Sequence, residues 1–331
     1  MPVRRRLLSP VAPALAAVLL LGSLVAASAQ SNIIKFVVGT APGGAIDPYA
    51  RLIADPMSKA LGQTIIVEYK AGANGNNSAQ YIAEQPADGQ LVWIGTQAFT
   101  EINPSVFKNQ HWSIDDFVPI IRGVQSPLVF AVHPSVPAKT FAEFLAWAKA
   151  NRGKLSYSSY QPGTPSHFLG YQLNEKFDLD MVHVPYRGSG LQATALLAGQ
   201  AQFGFAQLNS TAPHAATGKL RILGVTGPQR TKLLPDVPTF AEMGYPEFTA
   251  LVWFGLLVKK GTPETIIKRY TDAANVAHAD PEVRSKLEKL GFDVVAETGP
   301  QLMPNIKEQI VRWGKLVQAS GFSADDRGST K

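Results

Sequence analysis

Cysteine is absent from all 331 residues. Disulfides, thiolate metal centres and cysteine nucleophiles are therefore excluded together, and an apolar core must hold the fold. Histidine is sparse. The six (His111, His133, His167, His183, His214 and His278) lie at least 16 residues apart, with no HExxH and no carboxylate at metal-ligand spacing, so no metal is expected. A GxSxG nucleophile turn is missing, because Arg187 stands two residues before Ser189 where the first glycine belongs. The glycines of 72–75 fit neither a dinucleotide fingerprint nor a phosphate loop. Asp115 and Asp116 are adjacent, a poor arrangement for paired-carboxylate chemistry and a good one for a helix cap. Only 17% of residues are charged, the basic ones are scattered, and no nucleic-acid motif appears. No cofactor and no nucleic-acid partner is implied.

Long apolar runs are also missing after the first 29 residues. Within those, Arg4, Arg5 and Arg6 precede Val11–Ala26, an apolar run broken by Pro13, Gly22 and Ser23, and Ala27-Ser28-Ala29 follows. That order is a secretory leader with a small-x-small cleavage site. The run is too short and too broken for a membrane span. Export with cleavage after Ala29 is expected, placing a soluble mature protein in the periplasm. Once the leader is removed, 28 basic and 25 acidic side chains leave a net charge of +3, too little to define a partner.

What is present is a succession of apolar strands, polar turns and helices. The first turn, Thr40 to Asp47, follows the apolar run Ile33–Val38 and opens a helical pattern through Tyr49, Leu52, Ile53, Met57 and Leu61. Asp47 before Pro48 reads as an N-cap, and Pro56 should kink or divide the helix. Pro42, Gly43 and Gly44 leave backbone N–H groups unobstructed beside a helix N-terminus, the geometry of an anion seat. Strands follow at 64–68 and 91–95, with a flexible turn at 72–77 between them and Thr96-Gln97-Ala98 at the end of the latter. A further apolar strand is expected at 128–132, then a helix capped by Thr140 with Glu143 completing a capping box.

The scheme then repeats, with strands at 155–159, 181–185 and 202–206, and turns at 160–167 and 186–190. Leu251–Val258 is a buried strand or crossing, and three helices close the chain. Alternating strands and helices predict α/β layering, a mainly parallel sheet and two similar lobes. Ligands in such sheets sit beyond strand carboxyl ends.

Several ordered stretches resemble one family: PGGAIDPYAR (42–51), ALGQTIIVEYKAGANG (60–75), ADGQLVWIG (87–95), INPSVF (102–107), GTPSH (163–167), VPYRGSG (184–190), GKLRILGVTG (218–227) and LPDVPTFAEMGYPEF (234–248). Trp253-Phe254-Gly255, Thr262-Pro263-Glu264 and Arg312-Trp313 also fit, so that coverage runs from about Ile34 to Gly321. The chain resembles the Bug family, the extracytoplasmic solute-binding receptors of tripartite tricarboxylate transporters. The resemblance implies a two-lobed periplasmic-binding-protein-like fold (type II) with a ligand cleft between lobes, lobe 1 being 30–130 with 252–331 and lobe 2 being 131–251. It implies a small carboxylate or dicarboxylate ligand, integral-membrane transporter subunits as partners, and no catalysis; a monomer is expected.

Ligand contacts carry over to Pro42, Gly43, Gly44, Ala45, Ile46 and Asp47, and to Thr96, Gln97 and Ala98. In the second lobe they carry over to Ser159, Tyr160, Gly163, Thr164 and His167, to Pro185, Tyr186, Arg187 and Gly188, and to Gln207. Many relatives have glycine where Gln161 stands, serine where Thr164 stands and aspartate near Gln207. The neutral Gln207, with the bulk of Tyr160, is expected to favour an uncharged or aromatic ligand body over an ammonium group. Two alternative readings stay open here: an exported α/β enzyme using His167 as base, and a sensory receptor feeding a membrane kinase.

Overall fold

The computed structural model describes residues 33–325; the leader expected at 1–29 lies outside them. Ten strands follow one another as β1 (Ile33–Val38), β2 (Thr64–Tyr69), β3 (Leu91–Thr96), β4 (Phe117–Val132), β5 (Ser156–Ser159), β6 (Val182–Pro185), β7 (Phe203–Gln207), β8 (Arg221–Val225), β9 (Leu251–Lys259) and β10 (Asp293–Glu297). Their spatial order is β2-β1-β3-β9-β4-β7-β5-β6, with β8 and β10 also paired to β4. The order shows an internal repeat. In the first half the strand opening the βαβ succession lies between the second and third, and β9 closes the group. The second half repeats this as β6-β5-β7, closed by β4.

The sheet is mixed, which corrects the expectation of a mainly parallel one. β1 and β3 are parallel, as are β5 with β6 and β5 with β7. Every pairing of β4 and β9 is antiparallel. Alternation of helices and strands in the sequence describes the βαβ portions and does not register these two long returning strands.

β4 is also longer than the sequence suggests. Pro119, Gly123 and Pro127 punctuate it, yet it runs through 16 residues. Register shifts between Pro119 and Ile121 and between Arg122 and Val124 absorb the punctuation as bulges. Gly255 on β9 pairs with Arg122 between the two bulges; a Cβ there would lie 2.1 Å from the Ile121 carbonyl oxygen. Phe117 to Pro127 pairs with β9, and Leu128 to Val132 pairs with β7. One strand thus belongs to both halves.

Each half has its own aromatic centre, and β4 contributes a ring to both. Trp93 lies 4.7 Å from Phe117 and 5.5 Å from Trp112 in the first. Phe130 lies 4.7 Å from Phe144 and 5.1 Å from Phe205 in the second. Trp93, Phe130, Phe144, Phe203 and Phe240 are wholly buried, and burying such a side chain contributes about 1.5–3 kcal/mol.

Local expectations are revised at three places. The first helix runs unbroken from Ile46 to Leu61 with Pro56 inside it. Pro56 and Leu52 are both only half-buried, so the Leu52 carbonyl that Pro56 leaves without its helical donor can be met by water. Ala45, not Asp47, precedes the helix, and no side chain caps it. Thr140 Oγ1 does accept from Glu143 N–H at 3.2 Å, but the Glu143 carboxylate accepts from Lys139 N–H at 2.6 Å, so the capping box is only half formed. Asp116 does serve a cap, accepting from Ser113 N–H at 2.7 Å.

Candidate ligand-binding cleft

The carboxyl ends of six strands converge on one cavity of about 790 Å³. From the first half come Gly39 to Ile46 after β1, Ala71, Gly72 and Asn74 after β2, and Thr96, Ala98 and Phe99 at the end of β3. From the second come Tyr160 to Pro162, Thr164 and Pro165 after β5, Pro185 to Leu191 around the end of β6, and Gln207 at the end of β7. Val252 and Phe254 of β9 complete the wall.

Helices begin at Ile46, Pro165, Ser189 and Leu208, so several N-termini border the same space. Their first-turn amides have no helical acceptor and carry the positive end of the peptide dipoles. In the Ile46–Leu61 helix the Asp47 amide is taken by the Gly44 carbonyl, whereas those of Ala45 and Ile46 have no such acceptor among the described residues. Among the described residues Arg187 is the one charged side chain in the lining, none pairs with it, and no Asp, Glu or His joins it there. A cavity with this lining attracts an anion and gives a cation nothing to pair with.

Asp47 builds the seat without lining it. Its Oδ2 accepts from Gly43 N–H at 3.1 Å, while Oδ1 accepts from Arg51 Nε at 2.9 Å and from the Tyr69 hydroxyl. Partial burial pushes its pKa up, but the Tyr69 hydroxyl, the Gly43 amide and Arg51 outweigh that and hold it below the ordinary carboxylate range. The carboxylate therefore stays ionised and pins the turn in which Gly43 has φ +84°. The expected helix cap has become a loop staple.

The sequence-predicted residues divide accordingly. Pro42, Gly43, Gly44, Ala45, Ile46, Thr96, Ala98, Tyr160, Thr164, Pro185, Tyr186 and Gln207 all line the cavity, together with Arg187 and Gly188. Asp47, Gln97, Ser159, Gly163 and His167 do not. Gln97 lines a separate cavity on the other side of β3 and β9. Ser159 Oγ lies 2.7 Å from His183 Nε2 and donates to the Gln161 carbonyl. Gly163 N–H donates to His167 Nδ1 at 3.2 Å, and the Gly163 carbonyl accepts from Asn74 Nδ2.

His167 is stacked on His183 at 4.0 Å. Burial, with a smaller contribution from the charge of His183, pushes its pKa down to about 3, and burial takes His183 to about 4. The pair is neutral and structural, and the reading of His167 as a catalytic base finds no support in this placement.

The hydroxyls of the second half are also committed. Thr164 Oγ1 donates to the Gln161 carbonyl at 2.6 Å, and Ser166 donates to the Phe205 carbonyl. Tyr160 is buried in the wall. Burial drives its pKa up, while Thr164, the Ser166 backbone and Gln207 act in the opposite direction. Gln207 Oε1 has no partner among the described residues, as is true of Thr40 Oγ1 on the facing wall. Both are acceptors for a donor brought by ligand or water.

Asn74, Gly72, Phe99, Ser189–Leu191, Val252 and Phe254 were not anticipated. The glycine-asparagine turn after β2 carried a signal, since it holds the same topological place as the turn after β1. Val252 and Phe254 could have been found from alternation, because every second residue of a strand faces one side.

Two α/β halves meeting over a cleft at their strand ends define a periplasmic-binding-protein architecture, the class built to hold a small solute. The profile of the tripartite tricarboxylate transporter family receptor matches residues 49–322, and the chain belongs to that family. BugT of Bordetella pertussis is 30% identical over 292 residues, covering 87% of this chain and 89% of the relative. MatC from Rhodopseudomonas palustris, solved with bound malate, is 29% identical with a TM-score of 0.79, covering 86% of this chain and 98% of MatC. R. palustris Rpa4515, solved with adipate, is 26% identical with a TM-score of 0.82, covering 89% and 99%.

Proposed function

We infer that this chain captures a small dicarboxylate in the cleft and presents it to the membrane subunits of a tripartite transporter. The carrying observation is the lining: unclaimed helix N-terminal amides and a single cation, Arg187, with no acidic side chain among the described residues. One carboxylate docks on the Ala45 and Ile46 amides of the first turn, and the second is met by the Arg187 turn. Thr96, Ala98, Tyr160, Pro185, Tyr186 and Gln207 enclose the body of the ligand. Malate in MatC and adipate in Rpa4515 support the ligand class. Gln207, neutral and with an unpartnered oxygen, leaves no carboxylate to pair with a ligand ammonium.

The lobes are 30–130 with 252–331 and 131–251, and the hinge is the β4–β9 crossing near Pro127 and Leu251, which are Cα partners. The leader is cleaved after Ala29, and the mature protein works as a periplasmic monomer. A micromolar Kd, about −8.2 kcal/mol, is the scale expected of a few charge-assisted hydrogen bonds less immobilisation costs.

Calorimetry of the mature protein against malate, adipate, an aromatic diacid, aspartate and the corresponding monoacids tests the reading. Diacids should bind at least ~10-fold tighter than monoacids and than aspartate. Preference for aspartate, or no heat from any acid, would reject it.

A further inference from the structure

β9, by alternation along the strand, and the helical turn that follows β3 present residues to two different cavities. Thr96, Ala98, Val252 and Phe254 face the cleft; Gln97, Leu251 and Trp253 face a second cavity of about 340 Å³. Glu101, in the π-helical turn Ala98–Ile102, joins that second group. Arg122 and Gln125 of β4 line it too, and Asn305, Glu308, Gln309 and Arg312 of the Leu302–Ser320 helix form its rim.

Its deepest polar groups are incompletely satisfied. Glu101 is 1% exposed; Oε1 accepts from Trp253 Nε1 at 2.7 Å, and Oε2 has no partner among the described residues. Gln97 is 4% exposed, and its Oε1 is likewise without a partner. Arg122 is held by Glu297 at 3.2 Å and lies 5.3 Å from the centre of the Trp253 ring, yet its Nε donates to nothing described. Arg312 donates to the Thr249 carbonyl at 2.8 Å and, at 3.5 Å, to Gln309 Oε1, two bonds for a guanidinium with five donors. Two buried acceptors and an unused guanidinium donor therefore border one small space.

We propose that this rear cavity is a second binding site, for a small zwitterion of the α-amino-acid class. The ammonium donates to Glu101 Oε2 and Gln97 Oε1, and the carboxylate accepts from Arg122 Nε and from Arg312. A simple cation fits less well, because both arginines face the same space; a simple anion fits less well, because Glu101 and Glu308 do. A molecule carrying both charges satisfies both sets. The site shares no lining residue with the cleft and stands independently of the dicarboxylate reading.

Trp253 supplies the readout, because its indole N–H is bonded to Glu101. The mature protein, labelled with 15N and with the Trp253 indole signal assigned from Trp253→Phe, is titrated at about pH 8 with glycine, alanine, serine and glutamate, and separately with acetate and ethylammonium. A saturable shift with at least one amino acid is expected, at a Kd of about 1 mM or tighter. It should persist in Arg187→Ala, and weaken at least ~10-fold in Glu101→Gln and in Gln97→Ala, each checked for an unchanged melting profile. The half-ligands should give no saturable shift. Silence toward every amino acid means that water alone fills the cavity and overturns the proposal. So does a response lost in Arg187→Ala, which would belong to the cleft, or one retained in both Glu101→Gln and Gln97→Ala. Equal binding of either half-ligand overturns the zwitterion.

Discussion

The side-chain amide of Asn74 donates to the Gly163 carbonyl at 3.1 Å, and so joins a turn of the first half to a turn of the second across one end of the cleft. Asn74 also exchanges two bonds with Asn103, at 2.8 and 2.9 Å, which fix its orientation. Its own backbone is left-handed at φ +49°, a conformation asparagine tolerates better than most residues. Asn74→Ala removes the donor to Gly163 and leaves Asn103 with a broken network. We expect ligand affinity to fall by about 1–2 kcal/mol, ~5- to 30-fold, with the fold retained. Calorimetry with a diacid, beside a thermal melt, checks both parts.

Gly43 probes the first-lobe seat by conformation alone. A Cβ there would meet nothing within 4 Å, yet φ is +84°. Gly43→Ala therefore costs left-handed strain of about 1–2 kcal/mol without a clash. The strain falls on the turn that carries the proposed amides. Affinity for diacids should drop by ~5- to 30-fold, with any loss of stability confined to that same energy; unchanged affinity would remove the turn from the site.

Arg187 separates two-ended from one-ended ligands. Arg187→Ala should cost diacids at least ~10-fold in affinity and leave a monoacid nearly unaffected. Equal losses for both would place the cation on the first carboxylate instead. The comparison needs one diacid and its monoacid counterpart in the same calorimetric series.

His167 and His183 make the fold sensitive to acid. Both have pKa values below the ordinary 6.5, at about 3 and about 4, so the unfolded chain takes up protons that the folded chain refuses. Their contribution is present above about pH 6.5 and is lost as pH falls toward 4, by at most about 1.4 kcal/mol per unit for each group. Urea midpoints between about pH 7 and pH 4.5 should fall steeply, and less steeply in His183→Asn. A flat profile, or one unchanged by the substitution, would mean that the stacked pair does not control acid stability.

Much of the cleft is legible in the sequence because its parts are local. A turn rich in glycine and proline directly after a strand pattern marks 42–46, 160–165 and 185–188 without knowledge of the rest. What was not legible depends on distant partners. β4 reads as broken by Pro119, Gly123 and Pro127, and only pairing with β9 makes it one strand. Gln97 sits between two cleft residues in sequence, and only the helical turn entered directly after β3 carries it toward the rear. Asp47 carries the signature of a helix cap, but Tyr69, 22 positions later, draws its carboxylate into a staple. His167 is the histidine that sequence singles out, and its stacking on His183 is invisible until the Pro165–Phe177 helix is placed beside β6.

The cleft's helix-terminal amides have a consequence for where such a protein can work. Peptide groups do not titrate in any habitable medium, and the single guanidinium among them stays charged throughout. As the surroundings acidify, and as long as the fold and the ionised Asp47 staple hold, the grip on a solute should therefore weaken through protons taken up by the solute's own acid groups. The cargo's chemistry, rather than the receptor's, would then set the acidity at which it is let go.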